Sequence, residues 1–164
     1  MNFTRQVSQA LDIEHRANLD LLGRIEQVFA RGSTADRVDD PGFAKLAGAF
    51  VRLIDQDVGR HFDFEEQELF PRMSDAGEAD IAELLKEEHD AIREVAAEIL
   101  PFARAAAAGT LDAAGHDALK RGALEMVERQ VAHIQKETMA LLPLIEDLLD
   151  EEVDRELAFA YACD

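Results

Sequence analysis

Four histidines of this chain share one property: each lies on the apolar stripe of a different predicted helix. These four are His15, His61, His89 and His133. A single buried imidazole usually finds its own hydrogen-bond partners, but four imidazoles at similar depth would need several partners at once. One or more metal ions satisfy such a group most simply. The histidine positions therefore predict a metal site inside the protein.

Two of these histidines are followed by a glutamate four residues later. The pairs are His61 with Glu65 and His133 with Glu137. Residues i and i+4 of a helix point the same way, so each pair offers an imidazole and a carboxylate to one point in space. Four imidazoles and two carboxylates, which can bridge metal ions, are typical of a site for two ions.

The second half of the chain repeats the first in the order of these residues. Each half holds one histidine alone, then a His-x-x-x-Glu pair, then a proline, namely Pro71 and Pro143. A ferritin-like di-iron site would instead need Glu-x-x-His on two helices. No such spacing precedes any of the four histidines. The repeat predicts two similar halves that meet at the metal site.

The elements that position these residues are helices, because Ala, Leu, Glu and Arg dominate and no stretch alternates as a strand would. We predict an all-α, up-down-up-down four-helix bundle that occupies residues 1–150. Turn residues separate four long stretches. The first lies at about 4–31, the second runs from Pro41 to a turn at 74–77, the third contains residues 81–102 and fades at Gly109, and the fourth lies at about 111–149. Residues 151–164 are an acidic C-terminal tail, a docking segment or a short fifth helix.

Charge and cysteine content exclude several classes of protein. The chain has 17 Lys and Arg against 35 Asp and Glu, a formal net charge of −18. This charge argues against nucleic acid and against anionic membrane surfaces as partners. Its one cysteine, Cys163, excludes a disulfide framework and a thiolate cluster. With no signal peptide or long apolar run in the sequence, we expect a cytoplasmic protein.

The pattern of histidines and glutamates resembles the hemerythrin-like (HHE cation-binding) domain over about residues 8–150. The Glu-His dipeptides at Glu14 and Glu88 and the Glu-Leu-Phe-Pro sequence at 68–71 also fit that family. The resemblance implies a non-haem di-iron centre with an oxo or hydroxo bridge between its two iron ions. It implies that Glu65 and Glu137 are bridging carboxylates and that the four histidines are terminal ligands.

The chain departs from the oxygen-carrying hemerythrins at two positions. Arg93 and Thr138 stand where those proteins have a fifth histidine and an aspartate. The four-His, two-Glu variant that remains is seen in hemerythrin-like proteins of iron-centre repair, nitric oxide response, peroxide removal and iron sensing. We therefore expect binding or reduction of a small ligand such as O2, NO or peroxide, with a redox or protein partner that the sequence does not identify. The alternative is an iron-responsive regulatory or interaction module in which the metal is structural.

Several other residues carry weaker expectations. Asp57 or Gln130 could accept a hydrogen bond from a ligating imidazole, whereas Glu14 and Glu88 are expected to face solvent. His116 is expected to be exposed near the start of the fourth helix. Three residues have no clear metal role: Arg93, which we expect to form an ion pair, and Tyr161 and Cys163, which have no supporting motif. The phenylalanines expected in the core are Phe62, Phe64, Phe70 and Phe102.

Overall fold

The computed structural model describes residues 2–30 and 40–163, and five helical runs make up most of them. The runs are α1 (Gln6–Ala30), α2 (41–75), α3 (Ala79–Ala107), α4 (113–148) and α5 (Glu151–Cys163). The first four pack as an antiparallel bundle and α5 is added at the C-terminus, which confirms the predicted fold class. The predicted end of the first helix at residue 31 and the loop that follows lie outside the described residues.

Two of the runs change their winding along their length. α2 begins as the α-helix Pro41–Leu53 and contains two π-helical segments, Ile54–His61 and Glu65–Leu69, before it ends with Phe70–Asp75. α4 has one such segment; its parts are Ala113–Lys136, the π-helix Glu137–Leu141 and Leu142–Leu148. Short π-helical turns are often found at functional sites, and these turns contain three of the predicted metal ligands.

The prolines of the sequence repeat explain two of the π-helical turns. Proline has no N–H group, and its ring crowds the carbonyl group one turn earlier. Immediately before Pro71, the Phe70 N–H bonds to the carbonyl oxygen of Glu65, five residues back. Leu142 does the same with Glu137 just before Pro143. Both glutamates therefore start a widened turn that ends at a proline.

The turn residues act as the sequence predicts. Asp40 accepts a hydrogen bond from the Gly42 N–H at 2.8 Å and caps α2, whose first turn contains Pro41. Gly77 and Gly109 follow α2 and α3 with φ angles of 95° and 70°, a region that favours glycine. None of the described helices is long and apolar enough to cross a bilayer.

The core consists of two apolar clusters, one towards each end of the bundle. The first includes Leu22, Ile25, Phe50, Ile99, Leu119 and Met126. The second includes Leu11, Leu69, Met73, Leu85, Leu141 and Leu142. The four predicted core phenylalanines pack in these clusters, which confirms that prediction. In each of the four bundle helices, buried polar side chains lie between the residues of the first cluster and those of the second.

Residues 151–163 form a helix that is attached to α1. Leu157 and Tyr161 are buried in the second cluster. Asp154, only 4% exposed, accepts hydrogen bonds from the backbone N–H groups of Gln6 at 2.9 Å and Val7 at 3.0 Å. Asp154 thereby satisfies N–H groups that the first turn of any α-helix leaves without intrahelical partners. Among the alternatives for this segment, the short fifth helix is confirmed.

His116 is buried, and the expectation that it faces solvent was wrong. Its side chain is 2% exposed and stacks on Phe43, with the ring centroids 5.4 Å apart. The cause is the start of α4: Asp112 caps the helix through the Gly115 N–H at 2.7 Å. The first turn then directs His116 towards α2, which is a tertiary neighbour that sequence spacing does not reveal.

Substitution of Gly122 tests how closely α3 and α4 approach. A Cβ at Gly122 would lie 2.0 Å from Cγ2 of the buried Ile99, so Gly122→Ala should lower the free energy of unfolding by about 1–3 kcal/mol. Gly23 is a matched control, since nothing lies within 4 Å of its added Cβ. Gly23→Ala should raise the unfolding free energy by about 0.5–1 kcal/mol. Urea denaturation measures both, and equal effects would contradict this packing.

Candidate metal centre

The structure brings all six sequence-predicted ligands together in the polar layer between the two apolar clusters. α1 supplies His15, α3 supplies His89, and α2 and α4 each supply one His-x-x-x-Glu pair. Each of the six residues is at most 1% exposed. The residues between the two members of each pair are α-helical, so each imidazole stays beside the carboxylate of its own helix.

The six side chains form two overlapping groups, each with ligand atoms within 4.8 Å of one another. One group is His15, His61, Glu65 and Glu137; the other is His89, His133, Glu65 and Glu137. The two carboxylates belong to both groups and the histidines to one each. This is the arrangement of a binuclear site in which the carboxylates lie between the two metal positions.

The Nε2 atom of each imidazole points towards a carboxylate. His61 Nε2 lies 3.0 Å from Glu65 Oε1, and His133 Nε2 lies 2.8 Å from Glu137 Oε1, both within one helix. Between helices, His15 Nε2 lies 3.1 Å from Glu137 Oε2 and His89 Nε2 lies 3.3 Å from Glu65 Oε2. Each glutamate thus contacts one imidazole from its own half of the chain and one from the other half.

Glu14 and Glu88 hold two of the imidazoles from behind. His61 Nδ1 is 2.8 Å from Glu14 Oε2, and His133 Nδ1 is 2.9 Å from Glu88 Oε2. An ionised carboxylate can only accept, so Nδ1 donates and Nε2 is directed to the site. Both glutamates are partly exposed and outside the ligand groups, as expected, but the sequence did not predict that they also hold the imidazoles. A side chain about 100° from His15 or His89 on the helix points at the adjacent antiparallel helix.

The other two imidazoles are held by the residues that directly follow the shared glutamates. His89 Nδ1 donates to Glu66 Oε1 at 2.8 Å, and His15 Nδ1 lies 3.1 Å from Thr138 Oγ1. Arg93 donates to Glu66 at 2.6 Å and to Asp63 at 3.0 Å, which confirms the predicted ion pair. Arg93 and Thr138, the two departures from the oxygen carriers, thus both belong to the support of the site.

The sequence pointed to Asp57 and Gln130 for this supporting role, and neither has it. Asp57 Oδ1 is 3.6 Å from His61 Nδ1, which is too long for a hydrogen bond, and instead accepts from Asn18 at 2.8 Å. Gln130 is fully buried, and within the described residues its side-chain atoms make no hydrogen bond. The carboxylates of Glu14 and Glu88 take the roles that we had expected of these residues.

Tyr161 connects α5 to the candidate site, although no sequence motif singled it out. Its hydroxyl donates to Glu14 Oε2 at 2.5 Å, on the same oxygen that accepts from His61. Arg60 lies 4.3 Å above the tyrosine ring, donates to the Tyr161 carbonyl at 2.6 Å and pairs with Glu14 at 3.1 Å. Burial raises the pKa of Tyr161, and the bond to Glu14 raises it further, so the phenol remains a donor. Sequence reasoning missed this role because a single tyrosine in an acidic segment belongs to no pattern of residue spacing.

The buried polar atoms that face the centre fit metal ions. Five of them make no hydrogen bond of acceptable geometry: His15 Nε2, His89 Nε2, His133 Nε2, Glu65 Oε2 and Glu137 Oε1. Native proteins rarely leave buried polar atoms unpaired, and here the unpaired atoms all border the same two positions. Imidazole nitrogens together with carboxylate oxygens suit first-row transition metals. The donor set therefore fits a pair of such ions.

The ionisation of the metal-free site depends on attraction between imidazoles and carboxylates. Burial alone would lower the pKa of His133, but the charge of Glu137, whose Oε1 lies 2.8 Å from Nε2, and the hydrogen bond to Glu88 raise it to about 10. Burial also opposes the charge on His61, yet Glu65 and Glu14 hold its pKa well above the usual range. Burial would raise the pKa of Glu137, and His133 instead holds it well below its ordinary value. Protons on the imidazoles thus balance the buried carboxylates.

Metal affinity should therefore rise with pH. Ions must displace the protons of His61 and His133, so affinity should increase between about pH 6 and 8, with proton release on binding. Calorimetry with cobalt(II) in buffers of different ionisation enthalpy measures both. The metal-free protein should behave in the opposite way. The stability that the raised pKa of His133 contributes is complete below the usual 6.5 and is lost as pH rises through about 10. Affinity that did not change with pH would contradict this charge balance.

Comparison with known proteins agrees with the geometry of the site. The family model described as the hemerythrin HHE cation binding domain matches residues 6–145, which is most of the chain and contains all six residues of the candidate centre. No curated protein and no solved structure matches the chain. The matched region ends before α5, which contains Tyr161. The chain belongs to the hemerythrin HHE cation-binding domain family.

Proposed function

We propose that this protein is a non-haem di-iron protein that binds or reduces a small ligand, O2, NO or peroxide. The supporting observation is the pair of four-residue groups that share Glu65 and Glu137. Six protein side chains are too few to complete two six-coordinate ions, so positions remain for such a ligand. Bound iron would supply these open positions and the capacity for electron transfer to or from the ligand.

The residues of the chain have distinct roles in this proposal. The four imidazoles bind through Nε2 and are oriented through Nδ1 by Glu14, Glu66, Glu88 and Thr138. Hydrogen bonds to carboxylates make an imidazole a stronger donor, and they help to balance the positive charge of the ions. At one metal position, both imidazoles are supported by a carboxylate. At the other, that of His15, the partner Thr138 is neutral, so the two positions differ in charge.

Apolar side chains exclude water from the centre. Phe62, 1% exposed, lies face to face with His89, with ring centroids 3.7 Å apart and planes 4° from parallel. Phe70 lies near the same imidazole, at 5.3 Å between centroids. The two apolar clusters lie towards the two ends of the bundle. Small neutral molecules cross such a wall more readily than large or charged ones, which favours the proposed class of ligand.

Elemental analysis of a matched pair of variants tests the proposal. The wild-type protein purified without chelator should hold about two iron ions per chain. Glu65→Gln removes a shared carboxylate and should lower this content to about one or less, whereas Glu68→Gln, a partly exposed residue of the same helix, should leave it unchanged. Absorption spectra should then change on addition of O2, NO or peroxide. A wild-type protein with full helicity and no bound metal would overturn the proposal, and absence of peroxide turnover would exclude only the catalytic version.

A second candidate function is that of an iron-responsive module, favoured by the link between α5 and the site. Glu14 joins His61 to Tyr161, so metal binding at His61 would strengthen the docking of α5. Iron should then protect α5 from hydrogen exchange in the wild-type protein. Tyr161→Phe should abolish this difference, and Phe159→Ala, an exposed position of α5, should retain it. Equal protection of α5 with and without iron would count against this function.

A further inference from the structure

A polar cleft lies between α1 and α2 beside His61. Its volume is about 140 Å³. The cleft is lined by Glu14, Ala17, Asn18, Gln56, Asp57 and Arg60. All of these residues except Ala17 are polar. Since the residues of the candidate centre are at most 1% exposed, any ion that reaches it must pass between helices. This cleft borders the site at one of its imidazoles.

Asp57 is the buried group of this cleft that the rest of the structure does not explain. It is 4% exposed, and its Oδ2 atom has no hydrogen-bond partner. Its other oxygen accepts from Asn18, and the imidazole of His61 is held by Glu14 in its place. A buried carboxylate with an unpaired oxygen lowers the free energy of unfolding, whereas a buried hydrophobic side chain at the same position would not. Asp57 is therefore suited to bind a ligand transiently.

The charges of the cleft favour a cation as that ligand. Arg60 pairs with Glu14 at 3.1 Å, so these two charges largely cancel. Asp57 has no such partner from Lys or Arg among the described residues; the cationic group recorded near it is His61, at 3.6 Å. Its carboxylate and the amide oxygens of Asn18 and Gln56 are hard oxygen donors that divalent cations accept. The net charge of −18 also raises the local concentration of cations at the surface.

We propose that this cleft is an uptake site for divalent metal ions, with Asp57 as the first protein ligand that an incoming ion meets. Asp57 Oδ2 binds the ion in the cleft on the Nδ1 side of His61, and the ion then moves past this imidazole to its Nε2 atom, which faces the centre. Asp57 lies one helical turn before His61, so an ion bound to Asp57 is already beside one residue of the centre. This proposal rests on the metal-binding function proposed above, and it adds a transient site that the six residues of the centre do not include.

The rate of metal loading tests the proposal. Cobalt(II), whose visible absorption reports its binding to imidazole and carboxylate, is mixed with metal-free protein in a stopped-flow instrument. Asp57→Asn keeps the shape of the side chain and should slow loading about tenfold while the final metal content stays unchanged. Asp55→Asn is the matched control: it makes the same change of charge in the same helix, at a side chain that is 53% exposed and outside the cleft. It should load at the wild-type rate.

A second pair of variants tests the cleft without altering Asp57. Ala17 lines the cleft at an exposed position of α1, and Ala17→Leu should narrow the cleft and slow loading as well. Ala97→Leu makes the same change at an exposed position of α3, away from the cleft, and should have no effect. This pair decides the matter if Asp57→Asn does not fold, as judged by circular dichroism.

Three results would overturn the proposal, and they are distinguishable from failure of the binuclear centre. Equal loading rates for wild-type protein and Asp57→Asn, with full metal content in both, would show that ions enter elsewhere. A final content that falls in Asp57→Asn would show that Asp57 acts within the centre and not before it. Unchanged loading with a slower reaction of the loaded protein with peroxide would show that the cleft admits the small ligand. A wild-type protein that takes up no cobalt would instead refute the centre itself.

Discussion

The burial of four imidazoles and two carboxylates in the middle of an apolar bundle is the constraint on which the rest of the structure depends. Ionisable groups are costly to bury unless opposite charge balances them. In the metal-free protein, protons provide this balance, as the raised pKa values of His61 and His133 and the lowered pKa of Glu137 show. Transition-metal ions would replace the protons at the same place. The apolar clusters on either side exclude water, so the attraction between opposite charges is strong in both arrangements.

The support of the imidazoles follows the repeat of the chain. Within each half, the glutamate before the solitary histidine holds the histidine of the next helix; these are Glu14 and Glu88. Across the halves, the residue after each shared glutamate holds the solitary histidine of the other half. Glu66 and Thr138 occupy equivalent places in this scheme, yet one is charged and the other is neutral. The site is thus similar in geometry at its two metal positions and different in electrostatics.

Two residues outside the six that form the candidate centre connect it to α5 and to a surface cleft. Tyr161 attaches α5 to His61 through Glu14, and Asp57 lines a polar cleft beside the same imidazole. Both therefore lie at the metal position of His15 and His61, whereas Phe62 and Phe70 pack against His89 at the other position.

The sequence by itself determined the helices and the six residues of the candidate centre, because helical periodicity and the i, i+4 relation are local properties. It also determined the family, through the spacing of those residues. Only the tertiary structure decided what supports them. The directions of Glu14 and Glu88, the burial of His116 and the contact of Tyr161 depend on which helix lies opposite each side chain. Spacing along one helix contains no information about a neighbour that is many residues away in the chain, and packing alone supplies it.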